Sequence, residues 1–217
     1  MEHISGGVCA AKGFQAGGIH CGIRKNRGKR DISMIVSEVP ASAAAVYTSN
    51  LVKGAPIYVT QRNLAGGIAQ LAVCNSGNAN TCNADGEEVA WQMCKLAGKA
   101  AGIDPHHVIV ASTGVIGQPL SIEPIAQHMS ELYAAVKGNG SQEAAEGIMT
   151  TDTRLKEVAV SFVVGGKVCH LGGGVHAAVA GSNPHLSGAR GLRQLGQKRV
   201  LAPAGTQKKN VDLAVAH

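Results

Sequence analysis

Twice between residues 70 and 136 the apolar residues change their spacing, and no other feature of the chain constrains its fold as much. Gln70–Cys74 (QLAVC) is a short apolar run of the length a buried strand uses. A polar stretch follows, and from Val89 the apolar positions return at steps of three and four, through Met93, Leu96, Ala97 and Ala100. Those steps fall on one side of a helix, and Glu87 and Glu88 stand in its first turn, where the backbone dipole favours negative charge. The cycle then repeats. His107–Ala111 (HVIVA) reads as a second strand, and Ile122, Ile125, Met129, Leu132, Tyr133 and Val136 mark a second helix. Ser121 is its N-cap, Pro124 lies in its first turn and Gly138 stops it. A strand–helix–strand–helix order excludes a helical bundle and an all-β sandwich.

The flanks add strands. Residues 7–36 read as strands joined by turns at Gly17-Gly18 and Asn26-Arg27-Gly28. Ile32–Val39 is apolar and rich in β-formers, and Ala45–Ser49 and Pro56–Thr60 predict two more strands on the same ground. Ser141 opens a short third helix ending near Met149. Glu157–Val164 and Lys167–Leu171 flank Gly165-Gly166, a hairpin signal. The expected class is α+β or α/β layered: a mixed sheet with packed helices over residues 1–173, followed by a divergent tail over 174–217. Hydrophobic residues make up 45% of the chain, enough to supply the core such layers need.

The charge is unevenly placed. The net charge is +6, yet residues 174–217 hold six basic side chains against one acid, so most of the excess belongs to the tail. The tail has no aromatic residue, and Val211–Val215 is its one apolar cluster near the end. A basic segment can bind nucleic acid, but without interleaved aromatics a solvated end is the plainer reading, and nucleic acid ranks last as a partner. No apolar run approaches the roughly 20 residues that span a bilayer, and Met1–Lys12 lacks a signal-peptide core. The six cysteines show no C-x-x-C spacing, and His106-His107 has no carboxylate at ligand distance, so no metal site is expected. A cytoplasmic setting with free thiols follows.

Three segments have the composition to do chemistry. Asn75–Asn80 (NSGNAN) offers several donors and acceptors after a strand, although an Asx-rich turn is the plainer use of such residues. Ser112–Gly117 (STGVIG) ends a strand in Thr113-Gly114. Backbone N–H groups and a hydroxyl exposed there can stabilise an oxyanion, and glycine lets a carbonyl approach; a simple turn is again the plainer reading. Met149–Thr153 (MTTDT) gathers three threonines around Asp152, where capping is the default role. The sequence contains no P-loop, no dinucleotide-binding glycine pattern after a strand, no H-E-x-x-H and no G-x-S-x-G.

Five segments, taken in order, resemble one family. They are Gly22–Ile35 (GIRKNRGKRDISMI), Val46–Pro56 (VYTSNLVKGAP), Asn75–Asn80, Ser112–Gly117 and Gly147–Thr153 (GIMTTDT). The family they are similar to is the ornithine acetyltransferases, the bifunctional glutamate N-acetyltransferases of arginine biosynthesis. The resemblance implies transfer of an acetyl group from N-acetylornithine to glutamate, with acetyl-CoA a further donor in some members and no bound cofactor. It implies autoproteolysis into α and β chains, the freed N-terminal threonine of the β chain acting as nucleophile and its own amine as base. It places Thr113 and Gly114 in the oxyanion hole, and Thr150, or Thr151 beside it, against substrate. It also makes a β chain, or a further copy in an oligomer, the expected partner.

From Gly174 the chain departs from that pattern. Where the family has a lysine-glycine segment and then an Ala-Thr-Met-Leu cleavage site, this chain reads Gly174-Val175-His176-Ala177-Ala178-Val179-Ala180. The one threonine after Thr153 is Thr206, in surroundings unlike the family's. The expectation is an α-chain-like half without a nucleophile, inactive alone, with apolar surface left uncovered so that it aggregates or stays loosely packed. A change of reading frame, an altered splice, a truncation or a genuine divergence would each account for the break, and the abrupt switch to a basic, aromatic-free composition fits the first. The alternative is an inactive remnant or non-enzymatic binding subunit. A self-cleaving hydrolase or aminopeptidase would need the same freed Thr or Ser.

Overall fold

The computed structural model describes residues 1–174 and the backbone of Asp212–Ala216; the expectations for residues 175–211, Thr206 among them, lie outside the described residues. In chain order the strands are β1 (Glu2–Ile4), β2 (Phe14–Ile19), β3 (Ile32–Val46), β4 (Ile68–Asn75), β5 (Val108–Ser112), β6 (Glu157–Val164), β7 (Lys167–Gly174) and β8 (Asp212–Ala216). The helices are α1 (Ala55–Asn63), α2 (Gly86–Ala101), α3 (Glu123–Ala134) and α4 (Ser141–Ile148). The fold is α+β layered, with a mixed sheet carrying packed helices.

The larger sheet runs β2-β3-β4-β5, with β8 paired to the second half of β3. β4 and β5 run parallel, from Leu71 opposite Val108 to Asn75 opposite Ser112, and the other pairs are antiparallel. A parallel pair needs a crossover, and α2 supplies it. Both strands of that pair therefore end on the same side, where their following loops meet. β3 spans 15 residues and runs straight through Pro40. Its pairing with β4 lapses between Val36 and Ala41, so proline, which has no N–H, breaks no rung there.

The core lies between this sheet and the helices. Ile32, Met34, Leu71, Val73, Val108 and Val110 face Val89, Met93, Cys94 and Ala97 of α2 and Ile125, Met129 and Leu132 of α3. Except for Cys94, these helix residues are among the positions the three- and four-residue steps pick out, whereas Tyr133, also picked out, is exposed. Helix α4 packs on β2 and β3, where Gly18 and Gly147 allow backbone contact: a Cβ at Gly18 would stand 2.1 Å from the Glu143 carbonyl oxygen.

Gly17-Gly18, expected as a turn, instead lies inside β2, paired to Met34 and Ser33. Two further sequence expectations fail near α1. Pro56–Thr60 is not a strand but the first half of that helix. Gly54 enters it in an extended conformation, Pro56 fits its first turn, and Ile57, Val59, Thr60 and Asn63 are buried. Thr60 Oγ1 donates to the Val110 carbonyl at 2.7 Å and accepts from the Val110 N–H at 3.0 Å. Asn63 Nδ2 donates to the Val108 carbonyl at 2.7 Å. These bonds to β5 outweigh the strand preference of the β-branched residues. Ala45–Ser49 is not a separate strand either: Ala45 and Val46 finish β3, and Tyr47–Ser49 belong to no element.

The smaller sheet is antiparallel, in the order β1-β6-β7. Its hairpin turns at Gly165 and Gly166, both at positive φ, as expected. One face of the hairpin buries Ala159. The other presents Val158, Val160, Phe162, Val164 and Leu171, with Val158 and Leu171 44% and 45% exposed. Among the described residues no helix is long and apolar enough to cross a membrane.

Candidate functional site

The loops after β4 and β5 meet at the carboxyl ends of the parallel pair, the place where open α/β sheets expose strand ends to a ligand. Asn78 bridges to both Thr113 and Val115. The Thr113 N–H donates to the Asn75 carbonyl at 2.9 Å, the Val115 N–H to Gly77 at 3.3 Å, and the Ala79 N–H to Val115 at 2.8 Å. Asn78 Nδ2 reaches the carbonyls of Gln118 and Pro119, and Asn80 Nδ2 that of Gly86 at the start of α2. The amide run that reads as a polar loop is thus a buried set of struts, with Asn75 and Asn80 both wholly buried.

Gly77 and Gly114 pack backbone to backbone. Gly114 has φ +132°, and a Cβ on it would stand 2.4 Å from the Gly77 carbonyl carbon. Of the donors expected at Thr113-Gly114, the Thr113 N–H is spent on Asn75. The Gly114 N–H and the Thr113 hydroxyl pair with nothing among the described residues, and Gly114 is exposed. Three further buried oxygens here, Asn75 Oδ1, Ser76 Oγ and Ser112 Oγ, have no partner among the described residues. A polar atom buried without a partner is costly, so this strand end keeps hydrogen-bonding capacity for water or a ligand.

Met149–Thr153 leaves α4 as a turn. The Thr150 N–H donates to Asp152 Oδ2 at 3.3 Å, and Lys156 Nζ donates to Asp152 Oδ1 at 2.5 Å. Burial works against the Asp152 carboxylate, but these partners outweigh it and hold its carboxyl below the ordinary value of 3.8. The Thr150 side chain is half-buried and its hydroxyl has no partner among the described residues, whereas Thr151 is exposed.

Sequence reasoning missed what joins this turn to the strand ends. Asp31, fully buried, accepts from the N–H groups of Cys21 at 2.7 Å, Gly22 at 3.2 Å and Arg24 at 2.9 Å. The Asp31 carbonyl accepts from the Ser76 N–H at 2.8 Å. Arg24 Nη1 and Nη2 donate to the carbonyls of Met149 and Thr150 at 2.7 and 3.2 Å. The available signal was the family-like segment Gly22–Ile35, which by composition alone reads as a basic turn.

All six cysteines are free. Burial pushes the thiols of Cys74 and Cys94 up to about 12; burial and then the Asp31 carboxylate do the same for Cys21. These three are protonated at neutral pH and poor nucleophiles. Among the described residues no three His, Cys, Asp or Glu side chains converge to hold a metal ion.

The site can be set beside known proteins. A family model described as the ArgJ family matches residues 15–180. The Gloeobacter violaceus protein named arginine biosynthesis bifunctional protein ArgJ is 49% identical over 176 residues, covering 80% of this chain and 43% of its own length. Its namesake from Symbiobacterium thermophilum is 44% identical over 174 residues, covering 79% and 43%. The chain therefore spans less than half the length of these relatives. The crystal structure of ArgJ from Bacillus halodurans superposes with a TM-score of 0.76 at 38% identity, over 80% of this chain and 92% of that one. Ornithine acetyltransferase from Mycobacterium tuberculosis, complexed with ornithine, gives 0.74 at 30% identity, over 82% and 96%. With a family model covering most of its length and a fold to match, the chain belongs to the ArgJ family.

Proposed function

We propose that this chain supplies the α-chain half of an acetyltransferase of arginine biosynthesis, acting on N-acetylornithine and glutamate once a second chain brings the nucleophilic threonine. The observation that carries the reading is the pair of unspent donors at the end of β5, the Gly114 N–H and the Thr113 hydroxyl, held against Gly77. Two donors fixed before the reaction begins suit an oxygen that gains negative charge, because they need not reorganise as it forms. The solved ArgJ chains match this one over 92% and 96% of their own lengths, while the longer curated sequences match over 43%, which supports a functional division into two chains.

In this reading the partner's threonine attacks the acetyl carbonyl of N-acetylornithine and its amine takes the hydroxyl proton. Thr113 and Gly114 hold the carbonyl oxygen while the amide bond breaks and ornithine leaves with that proton. The amine of glutamate then attacks the acetyl ester, the same two donors hold the oxygen again, and the threonine hydroxyl is restored. Thr150 contacts the amino acid. Acetyl-CoA can take the place of N-acetylornithine as a co-substrate, and no bound cofactor is needed. A cytoplasmic setting, where thiols stay reduced, fits the free cysteines.

The test pairs the purified chain with a separately produced C-terminal half of the Gloeobacter violaceus relative and measures N-acetylglutamate formed from N-acetylornithine and glutamate. Turnover is expected in the mixture and in neither half alone. Two halves that bind each other yet transfer nothing would favour an inactive remnant or a binding subunit.

A further inference from the structure

Arg24 joins three parts of the site that no other described side chain connects. Its backbone N–H is pinned by the buried Asp31 carboxylate. Its stem lies over Gly77, where a Cβ would stand 2.8 Å from Arg24 Cγ, and Gly77 in turn backs Gly114. Its guanidinium ends on the carbonyls of Met149 and Thr150.

We infer that Arg24 is a positioning residue, setting the Thr150 hydroxyl relative to the Gly77–Gly114 contact by holding the two carbonyls of the Met149-Thr150 turn. The inference rests on the acetyl-transfer reading above. A guanidinium suits the task because its planar fork can donate to two successive carbonyls at once, whereas an ammonium is a single point of charge. The Met149-Thr150 turn follows the last turn of α4, and the other bonds described for it are local, from the Met149 N–H to the Glu146 carbonyl at 3.2 Å and from the Thr150 N–H to Asp152. Without Arg24 the turn is tied to neither Gly77 nor Gly114. Displacement of about 1 Å at a substrate contact is enough to weaken productive binding.

The test uses the reconstituted pair of chains and follows KM for N-acetylornithine separately from kcat. Arg24→Met is expected to raise KM about tenfold while kcat stays within about twofold, as for a group that orients bound substrate. Arg24→Lys recovers part of the loss. Thr150→Val alone raises KM, and Arg24→Met added to it changes KM no further, because the hydroxyl it positioned is gone. A purely structural role would instead give additive effects. Unchanged KM in Arg24→Met, a fall confined to kcat, or full additivity with Thr150→Val overturns the inference. If Arg24→Met fails to fold, Arg24→Lys with and without Thr150→Val carries the same comparison. An unaltered pair that transfers no acetyl group overturns the functional reading and this inference together; a working pair indifferent to Arg24 overturns this inference alone.

Discussion

At Gly114 two constraints coincide: the backbone is in a region that L side chains rarely adopt, and a neighbouring backbone occupies the place of a Cβ. Gly114→Ala is therefore expected to destabilise the chain by about 2–3 kcal/mol, read as a lower midpoint in urea. An unchanged midpoint would mean the two loops part easily. Asp152 makes a second prediction. Its folded carboxyl lies below the ordinary value, so its contribution is present above pH 3.8 and is lost as pH falls through the depressed value. Asp152→Asn should flatten the loss of unfolding free energy in acid, and a profile identical to the unaltered chain's would count against the Lys156 and Thr150 contacts. Residues of this kind differ in how far sequence displays them. Amides and glycines after a strand mark Asn75–Asn80 and Ser112–Gly117 as unusual loops. Asp31 gives no such mark, because its partners are backbone N–H groups of a loop that looks like any charged turn. Arg24 is hidden for a related reason: its carbonyl acceptors lie more than a hundred residues away.

Among the elements, α2, α3, β4 and β5 were legible because their apolar spacing agrees with their final burial, and the β6–β7 hairpin because Gly165-Gly166 marks its turn. Helix α1 was not. Ile57, Val59 and Thr60 carry strand-like side chains, and the helix forms because Thr60 and Asn63 find buried partners on β5 that no local pattern reveals. The length of β3 was obscured by Pro40, which reads as a stop until the lapse in pairing with β4 is seen. Thr60→Val keeps the shape of the side chain but leaves the Val110 N–H and carbonyl unpaired. It is expected to cost about 2 kcal/mol, measured by thermal or urea unfolding. A neutral outcome would mean that water replaces the hydroxyl at this strand.

For the whole molecule, the open apolar face of the smaller sheet governs behaviour outside a complex. Val158, Phe162, Val164 and Leu171 together predict self-association of the isolated chain, visible as concentration-dependent sedimentation. Val158→Lys with Leu171→Lys should shift the chain towards monomer, and a monomer with the face intact would show that something else covers it. The larger sheet behaves differently at its margins. On β5, Thr60 and Asn63 take up outward groups of Val108 and Val110; on β2, Ala16 and Lys137 exchange backbone bonds. Open strand margins are templates on which foreign strands can grow. With both of these margins occupied, runaway fibril growth is expected to begin elsewhere, along β1, β7 or β8, and a peptide designed to arrest it should mimic those strands rather than β2 or β5.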